Sequence, residues 1–349
     1  AITLNDLAVD GAFTLDPDGT GAVTIVNDVN LNLAASNMGG TFSGTATTGD
    51  ISDSGNLAIT GNSNFTAADT QSITLNNNNS FTGAVTFAAL SGNLKNVTIT
   101  NTMALDLAAM TLAQVASSGG NLTVTTSGAL TDSGALVIPG TTTITATGQV
   151  VDLDHTSNNF ATILFGSSSN AVSSVEVVDT NAIIIGASKS TGNFTITAGG
   201  DVTDSGTVTV GGNLSVTTSA SNGLINMGRL EVDGIVALTT NGGGAATIVN
   251  DATIEFAAST VGGALSATAT TGNITQSGAL DIEGATTLVT SGVGADIVLT
   301  TDTNAFTSQL LITTNETNSD IDADVSIDGG TTNLIIGTST IDGDLSLRS

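Results

Sequence analysis

The chain has 349 residues, with 31 Asp and Glu against 4 Lys and Arg, a formal net charge of −27, and no Cys, Trp or Tyr. Such a charge excludes a nucleic-acid partner, which needs clustered Lys and Arg, and an anionic membrane would repel it. The lack of Cys excludes a disulfide framework and a thiolate metal site, the 42 Gly follow no collagen period, and no run of about 18 apolar residues offers a membrane span.

Residues 1–50 read as the back part of a repeating unit, in which Val29, Leu31 and Leu33 alternate and Met38-Gly39-Gly40 leads to Phe42. The chain opens on Ala without a signal-peptide pattern, as expected of a processed chain or an excerpt of a longer one. Ile51-Ser52-Asp53-Ser54-Gly55 opens the first full unit. The phrase returns as Leu130-Thr131-Asp132-Ser133-Gly134, Val202-Thr203-Asp204-Ser205-Gly206 and Ile274-Thr275-Gln276-Ser277-Gly278, at intervals of 79, 72 and 72 residues. Each copy is followed by an apolar-x-apolar pair, a Gly and a second alternating run, as in Leu136, Ile138, Gly140 and Ile144. A further anchor lies inside the units: Asn79-Ser80-Phe81, Asn158-Asn159-Phe160 and Asn304-Ala305-Phe306, with Ile225-Asn226-Met227-Gly228 in its place in the remaining unit. The extra residues of the first interval are expected around 90–114, as a longer turn. Ile341-Asp342-Gly343 leading to Leu345 echoes Met38-Gly39-Gly40 leading to Phe42. A long internal repeat of this kind predicts one elongated body over 1–349, with units starting near 51, 130, 202 and 274 and partial units at 1–50 and 341–349.

Within a unit the apolar period is two, as at Val151 and Leu153 or Ile183 and Ile185, in runs of about three to five residues that Gly, Asn, Asp or Ser interrupt. Thr and Val favour strands. Gly supplies turns through positive φ, and Asn and Asp through side-chain-to-backbone bonds. The Ala- and Leu-rich stretch from Met103 to Val115 puts Thr and Asp on what would be its apolar face, so it is not expected to be a helix. An antiparallel sandwich would want large aromatic core residues and in-register Asp-Gly turns, which are scarce. The expected fold is therefore all-β: a parallel β-helix (β-solenoid) with three short strands per coil and roughly 24 residues per coil, so that 72 residues make three coils. Apolar residues would stack in ladders inside, Thr and Ser would face out, inward Asn would bond the coils above and below, and the acids would be spread rather than stacked. Pro17 and Pro139 are expected in turns.

The phrases Ser118-Gly119-Gly120-Asn121-Leu122-Thr123-Val124-Thr125-Thr126, Gly128-Ala129-Leu130-Thr131-Asp132-Ser133-Gly134-Ala135-Leu136 and Asn158-Asn159-Phe160 resemble repeats of filamentous-haemagglutinin-like adhesins, very large secreted bacterial surface proteins of the two-partner or autotransporter type. The resemblance covers about residues 20–345. It implies a right-handed parallel β-helix serving as a stalk or fibre outside the cell, and it carries over no catalytic residue.

The candidates for chemistry are few. His155 is the single histidine and reads as a turn residue rather than a base paired with Asp152 or Asp154. The acid sets Asp16/Asp18, Asp152/Asp154 and Asp320/Asp322/Asp324 could share a strand face, as the acid–base pair of a β-helical polysaccharide lyase or hydrolase would, but no basic residue repeats beside them. Asp320, Asp322, Asp324 and Asp328 are candidate Ca2+ ligands, although the spacing is that of neither an EF-hand loop nor a Gly-rich β-roll. Thr-x-Thr runs such as Thr123-Val124-Thr125 would make a flat binding face if stacked in every coil. No catalytic residue and no cofactor other than this Ca2+ is expected. The sequence thus points to a structural segment that is secreted or on the cell surface, partnered by adjoining solenoid, identical subunits end to end, or a surface or matrix receptor.

Overall fold

The computed structural model describes residues 1–17, 19–115, 117–315, 321–330 and 332–349. Every regular element among them is a strand, mostly of two to six residues. Alternation explains this directly: in Val23–Asn27 and Phe42–Ala46 every second side chain is buried and the rest are half-exposed. The Ala- and Leu-rich stretch from Met103 to Val115 forms the short strands Leu105–Leu107, Met110–Thr111 and Gln114–Val115. The strands pair in parallel with those of neighbouring coils, so the fold is the expected parallel β-solenoid. The exception among described residues is a small antiparallel hairpin in which Gln114–Val115 meets Ser118–Gly119.

Contacts divide the chain into two compact units, Ala1–Asp179 and Thr180–Ser349. In the first, the inward ladder runs Leu31, Ile51, Ile73, Val97, Leu122, Thr142, Ile163. A second ladder joins Leu105, Leu130, Val151 and Val175. Phe65 anchors the early coils, its ring 5.4 Å from Phe42, 5.8 Å from Phe81 and 6.0 Å from Phe87. In the second unit one ladder joins Ile183, Val202, Ile225, Ala246, Leu265, Thr286 and Leu310. Another joins Ile254, Ile274, Ile297, Val325 and Leu345. The interior is filled by small branched side chains and a few Phe, as a narrow coil requires.

These registers change the arithmetic of the repeat. A coil is not a fixed 24 residues: it takes 19 from Ala246 to Leu265, 25 from Val97 to Leu122 and 28 from Ile297 to Val325. Three coils carry Val202 to Leu265, and Ile274 begins the strand after that, on a different ladder. Likewise three coils carry Ile51 to Leu122, and Leu130 lies on the next strand. Within each unit, the super-repeat therefore advances by three coils and one strand. The extra residues of the first interval fall in the coils after Ile73 and Val97, in the turn beyond Ala89 and in the hairpin, which runs past the expected limit to Gly119. Pro139 sits at a corner where the register of strand Leu136–Thr145 shifts.

The Gly of the recurring phrase serves close packing rather than turn geometry. Gly55, Gly134, Gly206 and Gly278 all have ordinary negative φ. A Cβ on any of them would strike the backbone of an Ala in the coil beneath: Ala35, Ala109, Ala187 and Ala258 respectively.

Candidate functional site

The polar residues that recur are drawn together into joints between coils. Buried Asn79, Asn158 and Asn304 each accept the N–H of a residue in the preceding coil, Leu57 at 2.8 Å, Leu136 at 2.9 Å and Leu280 at 2.9 Å. Each of these Leu stands two residues after the phrase Gly. Each Asn also donates Nδ2–H within its own coil, to the carbonyl of Leu75, Leu153 or Leu299. Each Asn also meets the third residue of the phrase. Asn79 donates to Asp53 at 2.7 Å and Asn158 to Asp132 at 2.6 Å. Gln276 and Asn304 exchange two bonds, at 2.8 and 2.9 Å. The two anchors seen separately in the sequence are thus halves of one joint.

The unit without the Asn-x-Phe anchor uses other means. Asp204 accepts the Gly228 N–H at 2.7 Å and pairs with Arg229 at 3.5 Å. The Asp204 side chain is 3% exposed and that of Arg229 58%, so one of the four basic residues supplies the partner that Asn supplies elsewhere. A second kind of joint uses Asn27, Asn101 and Asn250. Each grips both the N–H and the C=O of one residue in the preceding coil: Val9, Phe81 and Val232. Unpaired buried peptide groups are costly, so corners of the coil that lack a ladder partner are closed in this way.

Burial raises the affinity of Asp132 for a proton, and the charge of Asp154 adds to it. The Asn158 amide, the His155 N–H and the His155 side chain act in the opposite direction. Asp152 is raised by burial and then by Asp154, and Asp251 by burial and then by Glu231 and Asp233. The acids are not everywhere spread as expected: Asp152 is the in-register neighbour of Glu176, one coil apart on the outer face.

The remaining sequence candidates fall as follows. His155 lies in a turn, where its Nδ1 accepts the Ser157 N–H at 3.2 Å. Asp154 lies beyond the end of strand Val150–Leu153, which holds Asp152. Asp16 is exposed, and Asp18 lies outside the described residues. Of the Ca2+ candidates, Asp320 also lies outside them. Asp322 is exposed, and Asp324 accepts the Asp344 N–H at 2.8 Å. Asp328 turns inward, accepts the Gly330 N–H and pairs with Arg348 at 3.3 Å. Among the described residues no group of three or more His, Asp or Glu is placed to hold a metal ion, and no helix is long and apolar enough to cross a membrane. Thr98 and Thr100, Thr123 and Thr125, and Thr143 and Thr145 stack in register over three coils, but Leu164 follows Thr143 in the next.

A family model described as repeats of unknown function (DUF5649) matches residues 20–88, 94–165, 172–228 and 243–313, well over half of the chain. No curated protein and no solved structure matches the chain.

Proposed function

The chain belongs to that family of repeats of unknown function, and from its architecture we propose that it is a structural segment, without catalysis, in the stalk or fibre of an extracellular bacterial adhesin. One observation carries the reading. The residues that recur from unit to unit, the phrase Gly, its Asp or Gln, and the Asn of the second anchor, are spent on the neighbouring coil. What the repeat preserves is stacking, and a stalk requires little else of its sequence. The net charge of −27 suits it, since like charge keeps exposed repeats from associating non-specifically. The test is immunolabelling of intact cells that make the native protein. Surface label that external protease removes supports the proposal; label that appears only after lysis refutes it.

A second reading makes the chain a subunit stacked end to end. Leu345 and Leu347 continue the core ladder of Val325 and Ile327, yet they are 46% and 40% exposed. An apolar ladder open to solvent is a surface that a second copy would cover. Fibres of the purified chain that grow with concentration would favour the second copy; a monomer at all concentrations would favour the stalk.

A further inference from the structure

Three of the four copies of the phrase hold two chemical versions of one joint. In the last, the neutral Gln276 both donates to and accepts from Asn304. In the second, Asp132 accepts from Asn158 at 2.6 Å and, at 3.4 Å, from the His155 N–H. A carboxylate has no proton to donate, whereas a carboxylic acid has one. The amide oxygens of Asn158 and Asn304 occupy equivalent places, each accepting the N–H of the Leu two residues past the phrase Gly.

We propose that the Asp132–Asn158 joint is a proton-responsive clamp: on protonation Asp132 donates to the Asn158 amide oxygen while still accepting its N–H, reproducing the two-bond pair of Gln276 and Asn304 and tightening the coils of the first unit. The titratable groups near it are mostly acidic, although Asp106 and Asp152 are in register with Thr131, on the outer face, rather than with Asp132. Asp106 lies on the strand beneath and accepts hydrogen bonds from Thr131 and Ser133. Asp152 lies on the strand above, with Asp154 and His155 following it. Asp179, one coil beyond Asn158, accepts the Phe160 N–H. The sequence carries no Lys or Arg between Lys95 and Lys189. Burial first, and then the charge of Asp154, favours the neutral acid of Asp132 over the opposing pull of Asn158 and His155.

The sign follows from linkage. The folded state holds the Asp132 proton more tightly than the unfolded state does. Stability is therefore gained as pH falls through the folded-state value toward the ordinary 3.8, and lost as pH rises through it. This opposes the usual acid weakening of carboxylates that are held charged.

The experiment compares thermal unfolding of the full chain, Asp132→Gln and Gln276→Glu from pH 7 down to pH 3.8, with carboxyl NMR of Asp132 in the unaltered chain. Relative to Asp132→Gln, the midpoint of the unaltered chain should rise by about 2 °C on acidification, Gln276→Glu should acquire a similar added rise, and the Asp132 carboxyl should titrate above 3.8. A difference between the unaltered chain and Asp132→Gln that does not move with pH, or an Asp132 carboxyl that titrates at or below that value, overturns the proposal. The NMR arm decides the matter even if a variant fails to fold.

Discussion

Gly206 lies over Ala187 so closely that a Cβ on the glycine would stand 2.7 Å from the alanine nitrogen and 2.9 Å from its Cα. The obstacle is backbone, which cannot swing aside. Gly206→Ala is expected to lower unfolding stability by about 2–3 kcal/mol, the cost of overpacking a rigid contact. Gly148→Ala is the control: Gly148 has φ +68° but nothing within 4 Å of its would-be Cβ. Only the left-handed backbone penalises it, by about 1–2 kcal/mol. Denaturant titration of both variants checks the order.

Asn79 connects Leu57, Asp53 and Leu75. Asn79→Ala leaves the Leu57 N–H buried without its acceptor and removes a partner from the Asp53 carboxylate. A loss of about 2–4 kcal/mol is expected, from one unsatisfied donor and one bond to a charged group. Asn77, at the rim of the same joint, donates a 3.3 Å bond to the Asp53 carbonyl, and Asn77→Ala should cost under about 1 kcal/mol. Unfolding of the two variants side by side separates joint from rim.

Thr142 and Thr286 occupy inward ladder positions between Leu122 and Ile163 and between Leu265 and Leu310. Both hydroxyls are buried without a hydrogen-bond partner. Thr142→Val and Thr286→Val keep the branched shape and remove the stranded hydroxyl, so each should stabilise the fold by about 1 kcal/mol. A midpoint that falls in either variant would show that the hydroxyl is satisfied in solution.

Asp251 binds its proton more readily than an ordinary Asp because of burial and the nearby Glu231 and Asp233. Its charged form therefore opposes folding, with stability lost as pH rises through its folded-state value and regained below it. Asp251→Asn should melt higher than the unaltered chain at pH 7 and converge with it in acid. Because the group is exposed, added salt should shrink the gap.

The parallel solenoid was legible because period-two alternation and the spacing of equal phrases both survive in linear order. The coil length was not. Ile51 and Leu130 look equivalent, as do Val202 and Ile274, yet each pair lies on different ladders, and turns of unequal length hide the offset. The purpose of the phrase Gly was also hidden, since Ala187 lies 19 residues earlier and only stacking brings it beneath Gly206. The joint left one readable trace. Asn79, Asn158 and Asn304 follow Asp53, Asp132 and Gln276 by 26, 26 and 28 residues, and where that Asn is missing an Arg stands close by.

The offset of three coils and one strand has a bearing on how such a chain can grow. A duplicated repeat inserted in frame would meet its neighbours strand for strand, since the added length ends one strand position further round the coil and the joints at each seam are the same. Yet every residue downstream would be turned by a third of a revolution. Gain or loss of a single repeat within a unit would therefore leave the folding rules intact while redirecting whatever that unit displays, and three such events would restore the original heading.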